Sequence, residues 1–237
     1  MYEDTSCRLK FTNGLSERFI SSCGVKQGDV LSPLLFNLYI NDLVKVFEHN
    51  NVDPVKINEI SINSLLFADD IVILSNSEKG LQKALNLLAE FCNSWKLQIN
   101  STKSKVIVFN SNGKSHKNFF RYENGFLETV TSYCYLGITI KYTGNLKVSG
   151  QLLMEKGRKA LFKIKKLIGL NNPCCLLEKL YDTLVVPICL YGSEIWGLNS
   201  RYNYSDPYEK LHIKFIKEIL GVHCKASIGC WMPSRTK

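Results

Sequence analysis

The sequence predicts an α+β protein in which strands and helices are mixed up to about residue 142 and only helices follow. Three observations carry that expectation. Short apolar runs bounded by turn residues recur up to residue 138. Apolar residues at helical spacing dominate after residue 146. The charge changes character between the halves: residues 1–110 hold 11 basic and 12 acidic side chains, residues 111–237 hold 19 and 9, so the net +9 is −1 in the first part and +10 in the second. That excess favours a polyanionic partner. With 45% hydrophobic and 22% charged residues, collagenous, mucin-like and disordered classes are excluded, and 237 residues bury a core without disulfide staples. The nine cysteines are odd in number and lack paired Cys-x-x-Cys spacing, which argues for reduced thiols rather than zinc. Met1 is followed by Tyr2, Glu3 and Asp4, and no apolar run approaches the roughly 18 residues of a membrane span. The expectation is an intracellular protein, nuclear or cytoplasmic, not secreted and without membrane contact.

The elements follow in order. Gly24 to Asp29 form a loop before a helix that opens at Ser32-Pro33, with Ser32 as cap and Pro33 in the first turn, and runs through Leu34, Leu35, Leu38, Tyr39, Leu43, Val46 and Phe47. Ile62 to Phe67 and Ile71 to Leu74 read as a hairpin with Ala68, Asp69 and Asp70 at its tip. From a start near Ser77, Leu81, Ala84, Leu85, Leu88, Phe91, Cys92 and Trp95 define an amphipathic helix, with Gln82, Lys83, Asn86, Glu90 and Asn93 on its wet face. A strand at Lys105 to Phe109 and a polar connection through Asn118 lead to a β-rich stretch ending at Tyr135-Leu136-Gly137-Ile138. Over residues 146–168, Leu153, Ala160, Leu161, Ile164, Leu167 and Ile168 share one arc, bordered by Lys156, Lys159, Lys163 and Lys166. Residues 141–170 hold eight basic side chains against one acid, Glu155. Further helices are expected at Pro173 to Val186 and at Asp206-Pro207 to Leu220, the latter stopped by Gly221.

Asp69-Asp70 is the strongest chemical feature. Adjacent anions at a turn repel unless a cation neutralises them, and hard carboxylate oxygens select Mg2+ or Mn2+. Paired divalent ions stabilise the attacking and leaving oxygens of phosphoryl transfer, whereas the plain alternative is a solvated Asp-Asp turn. The loop Gly24-Val25-Lys26-Gln27-Gly28-Asp29 offers two glycines for close backbone approach and a Gln able to donate and accept.

That loop with Ser32-Pro33 and its helix, then Phe67-Ala68-Asp69-Asp70, then Leu97 to Lys105, then Tyr135-Leu136-Gly137, resembles in order and spacing the palm of a reverse transcriptase, and most closely those of non-LTR, LINE-type or jockey-like retrotransposons. Leu190-Tyr191-Gly192-Ser193-Glu194-Ile195-Trp196-Gly197 and the Leu211 to Leu220 helix are in keeping with the same proteins. The resemblance implies a right-hand polymerase: a partial palm over residues 1–142, a thumb helix region over 143–170 and a helical C-terminal extension over 171–237, with the fingers absent. It implies extension of a primer 3′-OH with dNTPs on an RNA template, with an RNA–DNA or DNA primer duplex as partner. Asp69 and Asp70 would bind two Mg2+ ions, Mn2+ being a substitute. Gln27, Gly28, Ser32 and Pro33 would meet template and nucleotide. Lys103 would stand near the triphosphate as a candidate proton donor to pyrophosphate, or be a surface lysine. Tyr135, Leu136 and Gly137 would grip the primer end. Lys156, Lys159, Lys163 and Lys166 would meet duplex phosphates without reading sequence.

Two departures matter. Such polymerases take a third carboxylate from an earlier strand, and before Gln27 the only Asp is Asp4, whose surroundings do not resemble that strand. The tail from Ile228 to Pro233 also leaves the pattern. The expectation is a fragment that begins inside the palm and is inactive alone; the alternative is a non-catalytic, nucleic-acid-binding remnant of a retrotransposon.

Overall fold

Two-residue turns close most of the hairpins of this fold. The computed structural model describes residues 5–21, 24–26, 28–110, 119–169, 172–197 and 207–223. The chain divides into two compact units, Met1–Ser104 with Phe119–Glu128, and Lys105–Asn118 with Thr129–Lys237. The expected break near residue 142 therefore falls inside the second unit, as does the one at 170.

In the first unit, β1 (Thr5–Cys7), β2 (Lys10–Phe11), β3 (Gly14–Leu15) and β4 (Phe19–Ser21) form nested antiparallel pairs, β2 with β3 and β1 with β4. Helices α1 (Ser32–Ile40) and α2 (Asp42–His49) are separated by Asn41 alone, which keeps helical φ −59° and ψ −29°, so the single expected helix is present as two consecutive segments. Leu43 and Phe47 are fully buried. Ser32 is not the cap. Leu31 occupies that position without a side-chain hydrogen bond, and Ser32 lies in the first turn. Hairpins β5 (Val55–Ile57) with β6 (Ile60–Ile62), and β7 (Ser64–Phe67) with β8 (Asp70–Ile73), come next.

Helix α3 (Glu78–Ser94) starts where its cap predicts: Ser77 Oγ accepts the Gly80 N–H at 3.1 Å and donates to Asp53 Oδ2 at 2.8 Å. Ala84, Leu85, Leu88, Phe91 and Cys92 are buried, as its periodicity requires. The expected wet face is partly used. After β9 (Lys105–Val106), which belongs to the second unit, the chain returns as β10 (Phe120–Tyr122), which pairs with β11 (Gly125–Thr129). Gln82 of α3 serves β10 like a neighbouring strand, donating to the Arg121 carbonyl at 2.8 Å and accepting its N–H at 2.9 Å. Tyr39 stacks edge-on against Trp95 and donates its hydroxyl to the Trp95 carbonyl.

In the second unit the expected strand from Lys105 to Phe109 shortens to β9. Hairpin β12 (Ser132–Tyr135) and β13 (Ile138–Lys141) leads into α4 (Lys147–Ile168), which packs on β13 and on α5 (Cys174–Leu184), α6 (Val186–Cys189), α7 (Ser193–Trp196) and α8 (Pro207–Ile219). Asp206, the expected cap of α8, lies outside the described residues, and α8 ends at Ile219, two residues before Gly221 at φ 63°. The core gathers Leu153, Met154, Leu161, Leu177, Tyr181, Val185, Cys189, Leu211 and Phe215, with Tyr181 stacked on Phe215 at 4.1 Å. The buried stripe of α4 is Ser149, Gly150, Leu153, Met154, Gly157 and Leu161, whereas Leu167 is 84% exposed. The apolar arc thus predicts the middle of the helix and fails in its last turn, where Leu167 and Ile168 are exposed, while three small residues, Ser149, Gly150 and Gly157, extend the packed face at positions the arc does not include. No described helix is long and apolar enough to cross a membrane.

Candidate functional site

In the first unit, Phe67 pairs directly with Asp70, leaving Ala68 and Asp69 as a two-residue turn with Ala68 at φ 49°. Asp70 is therefore the first residue of β8 and not part of the tip, a correction to the expectation that Ala68, Asp69 and Asp70 all lie there. A strand's first position leaves its side chain at the solvent edge, so the charge is tolerated there. Both carboxylates are exposed, and no residue of the hairpin is fully buried. Neither carboxylate makes a hydrogen bond or an ion pair with a described residue, and no cluster of three or more His, Cys, Asp or Glu suited to a metal exists among the described residues. In donor type the pair suits a hard cation such as Mg2+ or Mn2+. As a set of two it supplies only part of a two-ion centre, which needs further carboxylate oxygens.

The loop before α1 is folded on itself. Leu31 N–H donates to Asp29 Oδ1 at 3.1 Å, and Ser32 Oγ donates to the Lys26 carbonyl at 2.6 Å. Ser32 is thus buried as a loop clamp, while Pro33 is exposed. Gly28 has φ 83° with open space where a Cβ would stand, so backbone conformation and not packing requires glycine there. Gln27 lies outside the described residues. Lys103 is exposed on a turn organised by Asn100, whose Oδ1 accepts from Thr102 Oγ1 at 2.6 Å and from the Lys103 N–H at 3.1 Å. Gly28, Ser32, Pro33, Asp69, Asp70 and Lys103 all belong to the first unit.

The remaining candidates belong to the second unit. Tyr135 pairs with Ile138, and Leu136 and Gly137 form the turn with φ 45° and 81°, the positive pair that a type I′ hairpin turn demands. Between this hairpin and α4 runs a cleft of about 180 Å³, with Gly137, Thr139, Ser149, Glu155, Lys156 and Lys159 in its lining. Ser149, almost fully buried, accepts the Thr139 N–H at 3.2 Å and so ties helix to strand. Of the four candidate lysines the cleft takes only Lys156 and Lys159; Lys163 and Lys166 are exposed outside it. Lys165, beside them in sequence, points away and pairs with Glu218. Cys189 packs at Gly157, and burial pushes its thiol up to about 11.

Sequence reasoning assigned no task to Tyr191, Ser149 or Gly150. Tyr191 donates its hydroxyl to the Leu136 carbonyl at 3.0 Å, and the Trp196 ring lies on Gly150. The small residues at 149 and 150 signal close approach only once the partner element is known.

A profile of the reverse transcriptase (RNA-dependent DNA polymerase) family matches residues 2–140, more than half of the chain. The chain belongs to that family. Among its relatives, a probable RNA-directed DNA polymerase from transposon BS of Drosophila melanogaster is 29% identical over 218 residues, covering 86% of this chain and 23% of that protein. The RNA-directed DNA polymerase from mobile element jockey of the same organism is 24% identical over 84% of this chain and 22% of its own length. The Pol polyprotein of the type-2 retrotransposable element R2DM is 26% identical over 78% and 18%. All three relatives are proteins of mobile elements. The chain spans less than a quarter of the length of these relatives.

Proposed function

We propose that this chain forms the part of an RNA-directed DNA polymerase that carries two of the metal-binding carboxylates and grips the primer. It would take part in extending a primer 3′-OH with dNTPs on an RNA template. The observation that carries this reading is the exposed Asp69-Asp70 turn within a segment matching the reverse transcriptase profile. In this reading Asp69 and Asp70 hold Mg2+ or Mn2+, with the other ligands coming from outside the described residues. The ions, when bound, neutralise charge on the transferred phosphoryl group and its leaving group. Gln27, Gly28, Ser32 and Pro33 border the template and nucleotide. Lys103 stands near the triphosphate. The Leu136–Gly137 turn, its neighbour Tyr135, and Lys156 with Lys159 hold the primer strand, and Lys163 and Lys166 meet the duplex backbone farther along. The corresponding subdomains are a palm before residue 142, a thumb helix to 170 and a helical extension beyond. A nuclear or cytoplasmic setting accords with it.

Primer extension tests the proposal. With poly(rA)/oligo(dT), dTTP and Mg2+, any nucleotide incorporation by the purified chain is expected to be abolished by Asp69→Asn; incorporation untouched by that change refutes the assignment of Asp69.

A second reading rests on the incomplete metal set: two carboxylates without a third partner among the described residues suit a chain that binds nucleic acid and catalyses nothing alone. Under it, incorporation is absent in the unsubstituted chain while duplex binding persists. Both readings predict that Lys156, Lys159 and Lys163 changed together to Gln flatten the salt dependence of duplex affinity, each phosphate contact contributing about 0.9 to the logarithmic slope. An unchanged slope refutes the lysine assignment.

A further inference from the structure

The stretch from Leu190 to Gly197 is left without a task by the chemistry proposed above, yet its Tyr191 contacts both residues of the β12–β13 turn. Tyr191 is 52% exposed, so it does not serve as core filling. Its hydroxyl donates to the Leu136 carbonyl at 3.0 Å, and its ring lies so close to Gly137 that a Cβ there would stand 2.8 Å from Tyr191 Cε1. One side chain therefore touches both residues of the turn. Tyr191 is itself braced from behind. Trp196 Nε1 donates to the Tyr191 carbonyl at 2.8 Å, and the Trp196 ring rests on Gly150 of α4. Gly192, at φ 63°, brings its Cα against Ile138 of β13. These contacts join turn, strand and helix around the cleft that Lys156 and Lys159 line. A four-pair hairpin is marginal by itself, so the position of its turn is set by what it leans on.

We propose that Tyr191 is a positioning residue for the primer strand: it sets where the Leu136–Gly137 turn stands at the mouth of the cleft, with Trp196 as its brace. The proposal rests on the reading of that cleft as the primer site. A site held this way tolerates little displacement, since strand and nucleotide must meet within a fraction of an ångström. Gly137 has two reasons to be glycine, its positive φ and the ring beneath it.

The test uses the full chain bound to an RNA template annealed to a DNA primer whose 3′-terminal base is 4-thiothymine, with photocrosslinks mapped by mass spectrometry. In the unsubstituted chain the crosslink is expected within residues 132–141. Tyr191→Phe removes one hydroxyl and keeps the ring, so the fold survives, and the yield at those residues is expected to fall about 2- to 10-fold, the factor that one neutral hydrogen bond carries. Trp196→Phe is expected to act in the same direction, while overall duplex affinity stays within about twofold because it rests on phosphate contacts. A crosslink in the turn that neither substitution weakens overturns the positioning role and leaves the cleft as the primer site. A crosslink found only elsewhere overturns that reading of the cleft, and the role of Tyr191 in primer seating falls with it. A loss of crosslinking matched by an equal loss of duplex affinity and a lowered melting temperature marks Tyr191 as structural only and also overturns the proposal.

Discussion

Hairpins β7–β8 and β12–β13 share a plan: four antiparallel pairs and a two-residue turn containing a residue at positive φ. They differ in what holds them. The β7–β8 turn carries Asp69 with Asp70 beside it, both in water, and no described group pairs with either carboxylate. The β12–β13 turn is uncharged and is fastened by the Tyr191 hydroxyl, by Ser149 on Thr139, and by Gly192 against Ile138. Under the proposed function the first turn keeps its oxygens uncommitted for a cation, whereas the second, which would present backbone to the primer, is fixed from outside. The first arrangement stores reactivity in side chains and the second stores geometry in packing.

The sharpest way to break this contrast is Gly192→Val. A β-branched residue at φ 63° pressed against Ile138 combines left-handed strain with overpacking, and should cost about 3 kcal/mol in urea unfolding followed by circular dichroism. A cost below about 1 kcal/mol would mean that the fastening is loose. Next comes Ser149→Ala, which removes the acceptor for the Thr139 N–H inside the packed helix–strand contact; about 2 kcal/mol is expected, along with faster amide exchange at residue 139. On the other hairpin, Ala68→Gly should raise stability by up to about 1 kcal/mol, because Ala68 sits at φ 49° and glycine relieves that strain at some entropic cost. Smallest of all, Asp69→Asn and Asp70→Asn should each leave the melting midpoint nearly unchanged, within about 0.5 kcal/mol, since neither side chain supports the fold. A large destabilisation by either would give the pair a structural role that its exposure contradicts.

The core of this fold was legible where periodicity and caps decide the outcome. Ser77 opens α3 and Gly221 follows the end of α8, because each depends on a local hydrogen bond or a backbone angle. Ser32 was misread as a cap: the helix-preceding loop takes its hydroxyl for the Lys26 carbonyl, a choice made by loop closure rather than helix propensity. Gln82 looked like a solvent-facing amide and instead satisfies the edge of β10 from 39 residues away. The site was half legible. Asp69, Asp70 and the lysine row stand out by residue type, but the split of that row, with Lys156 and Lys159 in the cleft and Lys163 and Lys166 outside, depends on where β13 crosses α4.

By itself the amino-acid sequence determined the α+β class, the family and the acidic hairpin, since short-range spacing and residue chemistry are written along the chain. Only the tertiary structure decided that Tyr191 and Trp196 hold the β12–β13 turn, and that Ser149, Gly150 and Gly157 line the packed face of α4. A small residue announces nothing until the group that fills its space is known. That group comes from tens of residues away, brought in by apolar burial rather than by any local pattern.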